Sequence, residues 1–139
     1  MRAAAARWLP AAVACAVVVL LTARAAGADA QPTLHSPASV VAGGIVVLHA
    51  RGFQPGSSLG VVVSPGDKGP CCAIRIVSTY FVSSAGTATL RFRMPLRYNS
   101  CIATSPPQCH KVVWARHERV VITATGYLEQ AETTTVFER

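Results

Sequence analysis

The sequence predicts an all-β protein, an antiparallel β-sandwich of about seven strands that follows a cleaved signal peptide. Three observations lead there. A basic start and an apolar run open the chain and close on a small-x-small cleavage pattern. Turn residues then recur at near-regular spacing between short runs rich in β-branched and aromatic side chains. Beyond the opening segment, no stretch shows a helical period.

Arg2 and Arg7 bracket the basic start, Trp8 to Leu21 form the apolar run, and Ala28-Asp29-Ala30 precedes Gln31. A membrane anchor needs about 20 apolar residues; this run is shorter, contains Pro10 and is closed by Arg24. Cleavage before Cys15, as in a lipoprotein, would leave half of the apolar run on the product. The arginines are not adjacent, as the twin-arginine route requires. The expected division is residues 1–30 as a secretory signal and residues 31–139 as one domain with one core, secreted to the medium or held at the cell surface. No transmembrane helix is expected in the mature chain. Loss of Arg2, Arg7, Arg24 and Asp29 lowers the formal net charge from +7 to +5, so the mature chain stays basic.

The strands follow in order. In Ile45 to Arg51, Val46, Leu48 and Ala50 share one face, opposite His49 and Arg51. Pro55-Gly56 suits the centre of a type II turn, where glycine tolerates positive φ. Leu59 to Val63 is the next strand, and Ser64 to Pro70 reads as a loop. Cys72 to Phe81 follows, with Ile74 and Ile76 on one face. After the Ser83-Ser84-Ala85-Gly86 turn, Thr87 to Met94 gives the cleanest alternation: Ala88, Leu90, Phe92 and Met94 inward, Thr87, Thr89, Arg91 and Arg93 outward. Pro95 to Gln108, with Pro106-Pro107, reads as irregular. Lys111 to Arg116, Arg119 to Thr125 and Thr133 to Phe137 complete the seven, and Pro32 to Val40 is a possible eighth, at an edge.

The mature chain has four cysteines, Cys71, Cys72, Cys101 and Cys109. An even number in an exported chain points to disulfides. A local Cys101–Cys109 bridge would close the irregular loop; Cys71 and Cys72 would then pair with each other or stay reduced. The crossed arrangement, joining Cys71 or Cys72 to Cys101 or Cys109, is the alternative.

The order of these features resembles the bacterial immunoglobulin-like domains of exported and cell-surface proteins. The matching residues are Gly43 and Gly44 before the strand at 45, Gly52-Phe53-x-Pro55-Gly56, Ala85-Gly86-Thr87-Ala88 and Met94-Pro95. Ile122-Thr123-Ala124-Thr125-Gly126 and Thr133 to Phe137 complete the match. The resemblance implies an immunoglobulin-like sandwich and bears on fold rather than activity. The chain is also similar to the neocarzinostatin group, small secreted sandwiches that carry an enediyne chromophore in a cleft, through the order of Cys72, Gly86, Cys101 and Cys109. It differs from that group in having Val61 to Val63 where an upstream partner cysteine would stand, and in a shorter stretch between Gly86 and Cys101.

Several motifs invite chemistry. Gly56-Ser57-Ser58-Leu59-Gly60 matches G-x-S-x-G, but that pattern works on a strand-to-helix turn, and here a Pro-Gly turn leads into a strand. Cys109, His110 and His117 fall short of the three or four closely spaced ligands of a zinc site, so no metal or cofactor is expected. Arg91, Arg93, Arg97, Lys111, Arg116 and Arg119 are candidates for binding an anionic partner, against the simpler reading of a solvated face. Few aromatics interleave these charges and the chain is exported, which argues against nucleic acid. Trp114 should share a strand face with Val112 and Arg116 and pack in the core.

The function these readings support is a non-enzymatic, exported binding or adhesion module whose partner is an anionic surface polymer or another exported protein. The alternative is a secreted small-molecule carrier of the neocarzinostatin kind; an enzyme comes third. An apolar cleft would favour the carrier, a flat basic sheet face the module, and converging Ser, His and acid side chains the enzyme.

Overall fold

A computed structural model describes residues 31–66, 72–102 and 104–138. Residues 1–30, where the sequence places a secretory signal, residues 67–71, Ala103 and Arg139 lie outside the described residues. Ten strands form: β1 (Thr33–His35), β2 (Ser39–Val41), β3 (Ile45–Arg51), β4 (Ser58–Pro65), β5 (Ile74–Phe81), β6 (Thr87–Arg93), β7 (Arg97–Ile102), β8 (Gln108–Val113), β9 (Arg119–Thr125) and β10 (Gln130–Glu138). They make a three-stranded sheet β1-β3-β6, a five-stranded sheet β2-β10-β9-β4-β5 and a two-stranded ribbon β7-β8. Every described pairing is antiparallel except β2 with β10.

The alternation read from the sequence is the alternation of the core. Val46, Leu48 and Ala50 on β3 face Phe92, Leu90 and Ala88 on β6 in direct register. From the other sheet, Leu59, Val61 and Val63 of β4 and Val120, Ile122 and Ala124 of β9 are buried in the same cluster. Each such Leu, Ile or Val contributes about 1.5–3 kcal/mol by leaving water. Met94 is buried just past the end of β6, and its backbone bonds to Gly43 and Gly44.

Four expectations need correction. The strands number ten among the described residues, against about seven. Pro32 to Val40 is two short strands divided at Ser36-Pro37-Ala38, so that β1 joins one sheet and β2 the other. Proline lacks the N–H that a continuous strand would donate. Pro95 to Gln108 is not irregular: Arg97–Ile102 pairs with Gln108–Val113. The strand expected at Lys111 to Arg116 is therefore displaced, ending at Val113. At the neighbouring boundaries, β4 runs on through Ser64 and Pro65, and β5 begins at Ile74.

Trp114 stands just beyond β8 and is fully buried, while Arg116 is exposed in the following turn rather than on a shared strand face. The indole ring lies 4.7 Å from Tyr98 and 5.8 Å from Phe137, centroid to centroid. Its Nε1–H donates to the Pro95 carbonyl at 2.9 Å. Glu118 closes this end, accepting from the Tyr98 hydroxyl at 3.1 Å and the Ala115 amide at 2.7 Å. The ribbon is thus anchored at its base by an aromatic cluster whose polar atoms are satisfied.

Candidate functional site

A concavity lies on the outer face of the five-stranded sheet, at a mismatch between β4 and β5. Val61 pairs with Ile76 and Leu59 with Tyr80, so three residues of β5, Val77 to Thr79, stand opposite the single residue Gly60. The surplus residues drop out of the ladder, as β-bulges do when they re-aim side chains. Val77 is consequently 100% exposed. Gly60 has no side chain to fill the space beneath, and the nearest atom to a Cβ placed there is the Thr125 carbonyl oxygen at 4.0 Å.

The opposite wall is the β9–β10 turn. The Gly126 amide donates to the Glu129 carbonyl at 2.8 Å, which presents Tyr127, 89% exposed, at the tip. Glu129 anchors the turn by accepting from the Gln54 amide at 2.7 Å. Beyond the bulge, the Tyr80 hydroxyl donates to the Arg91 carbonyl at 2.7 Å and ties β5 to β6 of the other sheet. The bulge is therefore held at both ends, by core packing of Ile76 and by this bond. The concavity between the walls measures about 960 Å³. Its floor is Ser58, Gly60 and Val62, its walls offer Val77 and Tyr127, and among the described residues Arg75 is the only charged one in the lining. The recess is open to solvent and combines apolar surface with several hydroxyls and one charge.

The basic residues singled out from sequence are divided among several surfaces. Arg91 and Arg93 point outward at one end of the three-stranded sheet and Arg51 at the other, with His35 and His49 between them, and that face carries no carboxylate among the described residues. Arg93 donates to the Gly43 carbonyl. Arg97 and Lys111 meet on the ribbon, where with Asn99 they edge a recess of about 530 Å³ containing Ile74 and Leu96. Arg116 lies in the turn after Trp114. Arg119 belongs to the five-stranded sheet and donates to the Gly66 carbonyl at 3.2 Å.

Cys101 and Cys109 are directly opposed on β7 and β8 and form a disulfide, with Cα atoms 4.0 Å apart. The local pairing holds and the crossed one does not; Cys72 is buried. Ser57, within the G-x-S-x-G match, directs its hydroxyl to the Gln54 carbonyl at 2.7 Å, and Gly56 takes φ 77°. The Ser57 amide also donates to the Gln54 carbonyl at 3.1 Å, which closes the type II turn read from Pro55-Gly56. Among the described residues, no group of three or more His, Cys, Asp or Glu side chains gathers.

Sequence reasoning missed Gly60, Arg75, Val77 and Tyr127, because the concavity depends on how β4 registers against β5. One signal was present: Ser78 occupies the inward phase of a strand whose Ile74, Ile76 and Tyr80 face the core.

No protein-family profile and no curated protein matches the chain. Among solved structures, it is similar to macromomycin, with a TM-score of 0.57, 16% identity, and coverage of 77% of this chain and 99% of that one. A superoxide reductase (neelaredoxin) from Ignicoccus hospitalis aligns at a TM-score of 0.42 and 9% identity over 78% of this chain and 80% of that one, too remote to carry an argument. The macromomycin likeness supports the neocarzinostatin-like resemblance as to fold, whereas nothing found supports the bacterial immunoglobulin-like domains. No helix among the described residues is long and apolar enough to cross a membrane.

Proposed function

We propose that this protein is an exported, non-enzymatic carrier that holds a small, mainly apolar molecule in the concavity over Gly60. The observation that carries this reading is the bulge itself. Three residues of β5 stand opposite one glycine of β4, and Val77 among them lines, with Tyr127, an open recess of the volume usual for a drug-sized ligand, about 300–1,000 Å³. A macromomycin-like fold agrees with the carrier reading better than with adhesion. Export rests on the opening segment and accords with the Cys101–Cys109 disulfide, since oxidising compartments keep such bonds.

Mass spectrometry of the native protein from its own source tests the reading. A co-purifying small molecule, released on denaturation and excluded by Gly60→Leu, is the expected result; a Gly60→Leu protein that still carries its ligand would refute it. N-terminal sequencing of the exported protein should begin at Gln31 or within about two residues of it. A product retaining Trp8 to Leu21 would contradict export by cleavage.

A second reading has its own observation. The outer face of the three-stranded sheet presents Arg51, Arg91, Arg93, His35 and His49 without a carboxylate among the described residues, a surface suited to an anionic polymer.

A further inference from the structure

We infer that the molecule held in the concavity is an anion with an apolar body: a carboxylate, sulfate or phosphate ester on an aromatic or alicyclic frame, its charged group placed at Arg75. The inference rests on the carrier reading and adds the chemical class of the ligand. Among the described residues, Arg75 is the single charged side chain lining the concavity, and none of the lining is Asp or Glu.

Its surroundings leave the guanidinium available. Arg75 pairs across the sheet with Val62, Val62 with Thr123, and Thr123 with Glu132. The carboxylate in that row therefore stands three strand spacings off, roughly 14 Å at ~4.8 Å each. Arg93 and Arg119 are bonded to backbone carbonyls. The Arg75 guanidinium has no hydrogen-bond or ion-pair partner among the described residues.

Geometry then assigns the parts of the ligand. A planar guanidinium offers two parallel N–H donors to the oxygens of a carboxylate, sulfate or phosphate. An apolar frame extending from that anchor passes over Val62 and Gly60 and reaches the Tyr127 ring, a stacking surface at the opposite wall. A cation in the same place would meet Arg75 with no counter-charge in the lining. The net charge of +5 on the mature chain works in the same direction, drawing anions toward the surface.

Two fluorescent probes separate charge from shape: anilinonaphthalene sulfonate and its neutral parent, N-phenylnaphthylamine, each titrated against the exported protein at low salt. The sulfonate should bind at least about tenfold more tightly, equal to about 1.4 kcal/mol. Arg75→Gln should bring the two within about threefold of each other while leaving the neutral probe's affinity and the melting temperature unchanged, since Arg75 is exposed. Gly60→Leu should abolish both signals. The paired change Arg97→Gln with Lys111→Gln should leave the gap intact.

Equal affinity of the two probes for the native protein would overturn the anionic assignment while the carrier reading stood. A gap that survives Arg75→Gln, or closes on changing Arg97 and Lys111, would likewise remove Arg75 as the anchor. Failure of both probes to bind, or binding that ignores Gly60→Leu, would take the carrier reading down with it.

Discussion

Gly56 and Gly86 both adopt positive φ, 77° and 73°, yet they meet different neighbours. A Cβ at position 56 would have nothing within 4 Å, whereas one at position 86 would stand 2.9 Å from the Phe53 carbonyl oxygen. Gly56→Ala should therefore cost about 1–2 kcal/mol, the penalty of a left-handed L-residue. Gly86→Ala should cost more, because the Phe53 backbone must also move. Urea unfolding of the two variants measures the difference, and equal losses would show that the Phe53 contact is easily relaxed. Both turns were legible in the sequence, since Pro55 and the Ser-Ser-Ala run mark them by local chemistry. The Phe53 contact was not, because it joins residues 33 positions apart.

At the scale of elements, legibility followed the presence of a buried face. Strand β6 alternates against a core and was read with its register; Phe92 is buried and Thr89 exposed, as its alternation requires. Phe92→Ala should cost roughly 3–5 kcal/mol through lost burial and a cavity, and Thr89→Ala less than half as much. A more damaging Thr89→Ala in urea melts would contradict that register. The ribbon β7–β8 hid from the sequence for the complementary reason. Only Tyr98 on β7 is buried, and exposed Gln108 to Lys111 begin β8, so no period separates an inner face from an outer one. Backbone pairing and the Cys101–Cys109 bond hold it instead. That bond closes a short loop of sequence separation 8, for which chain-entropy arguments give about 2–3 kcal/mol. Reduction should speed hydrogen exchange in the outer ribbon while the amides of Leu90 and Ile122 keep their protection. Exchange spreading through β6 and β9 would mean that the disulfide supports the sandwich and not the ribbon alone.

Over the whole molecule, the recess on the five-stranded sheet and the basic face of the three-stranded sheet belong to different sheets and call for different assays. If the basic face binds a polyanion, retention should weaken steeply with salt as the Debye length contracts from ~10 Å at 0.1 M to ~3 Å at 1 M. Arg91→Glu with Arg93→Glu should abolish retention without unfolding, because both side chains are exposed; retention indifferent to salt and to both changes would remove that reading. The recess itself has a further consequence. The bulge in β5 holds two residues more than a regular ladder would, and two is the period of a strand. Ile74 and Ile76 on one side and Tyr80 on the other therefore keep the same phase, which is why the sequence showed no slip there. An insertion or deletion of one residue between Val77 and Thr79 would turn one flank of the strand inside out. A pair of residues could be added or removed with the core in step. The rim is thus adjustable in increments of two, an even-numbered dial by which a protein engineer could fit one scaffold to ligands of several depths.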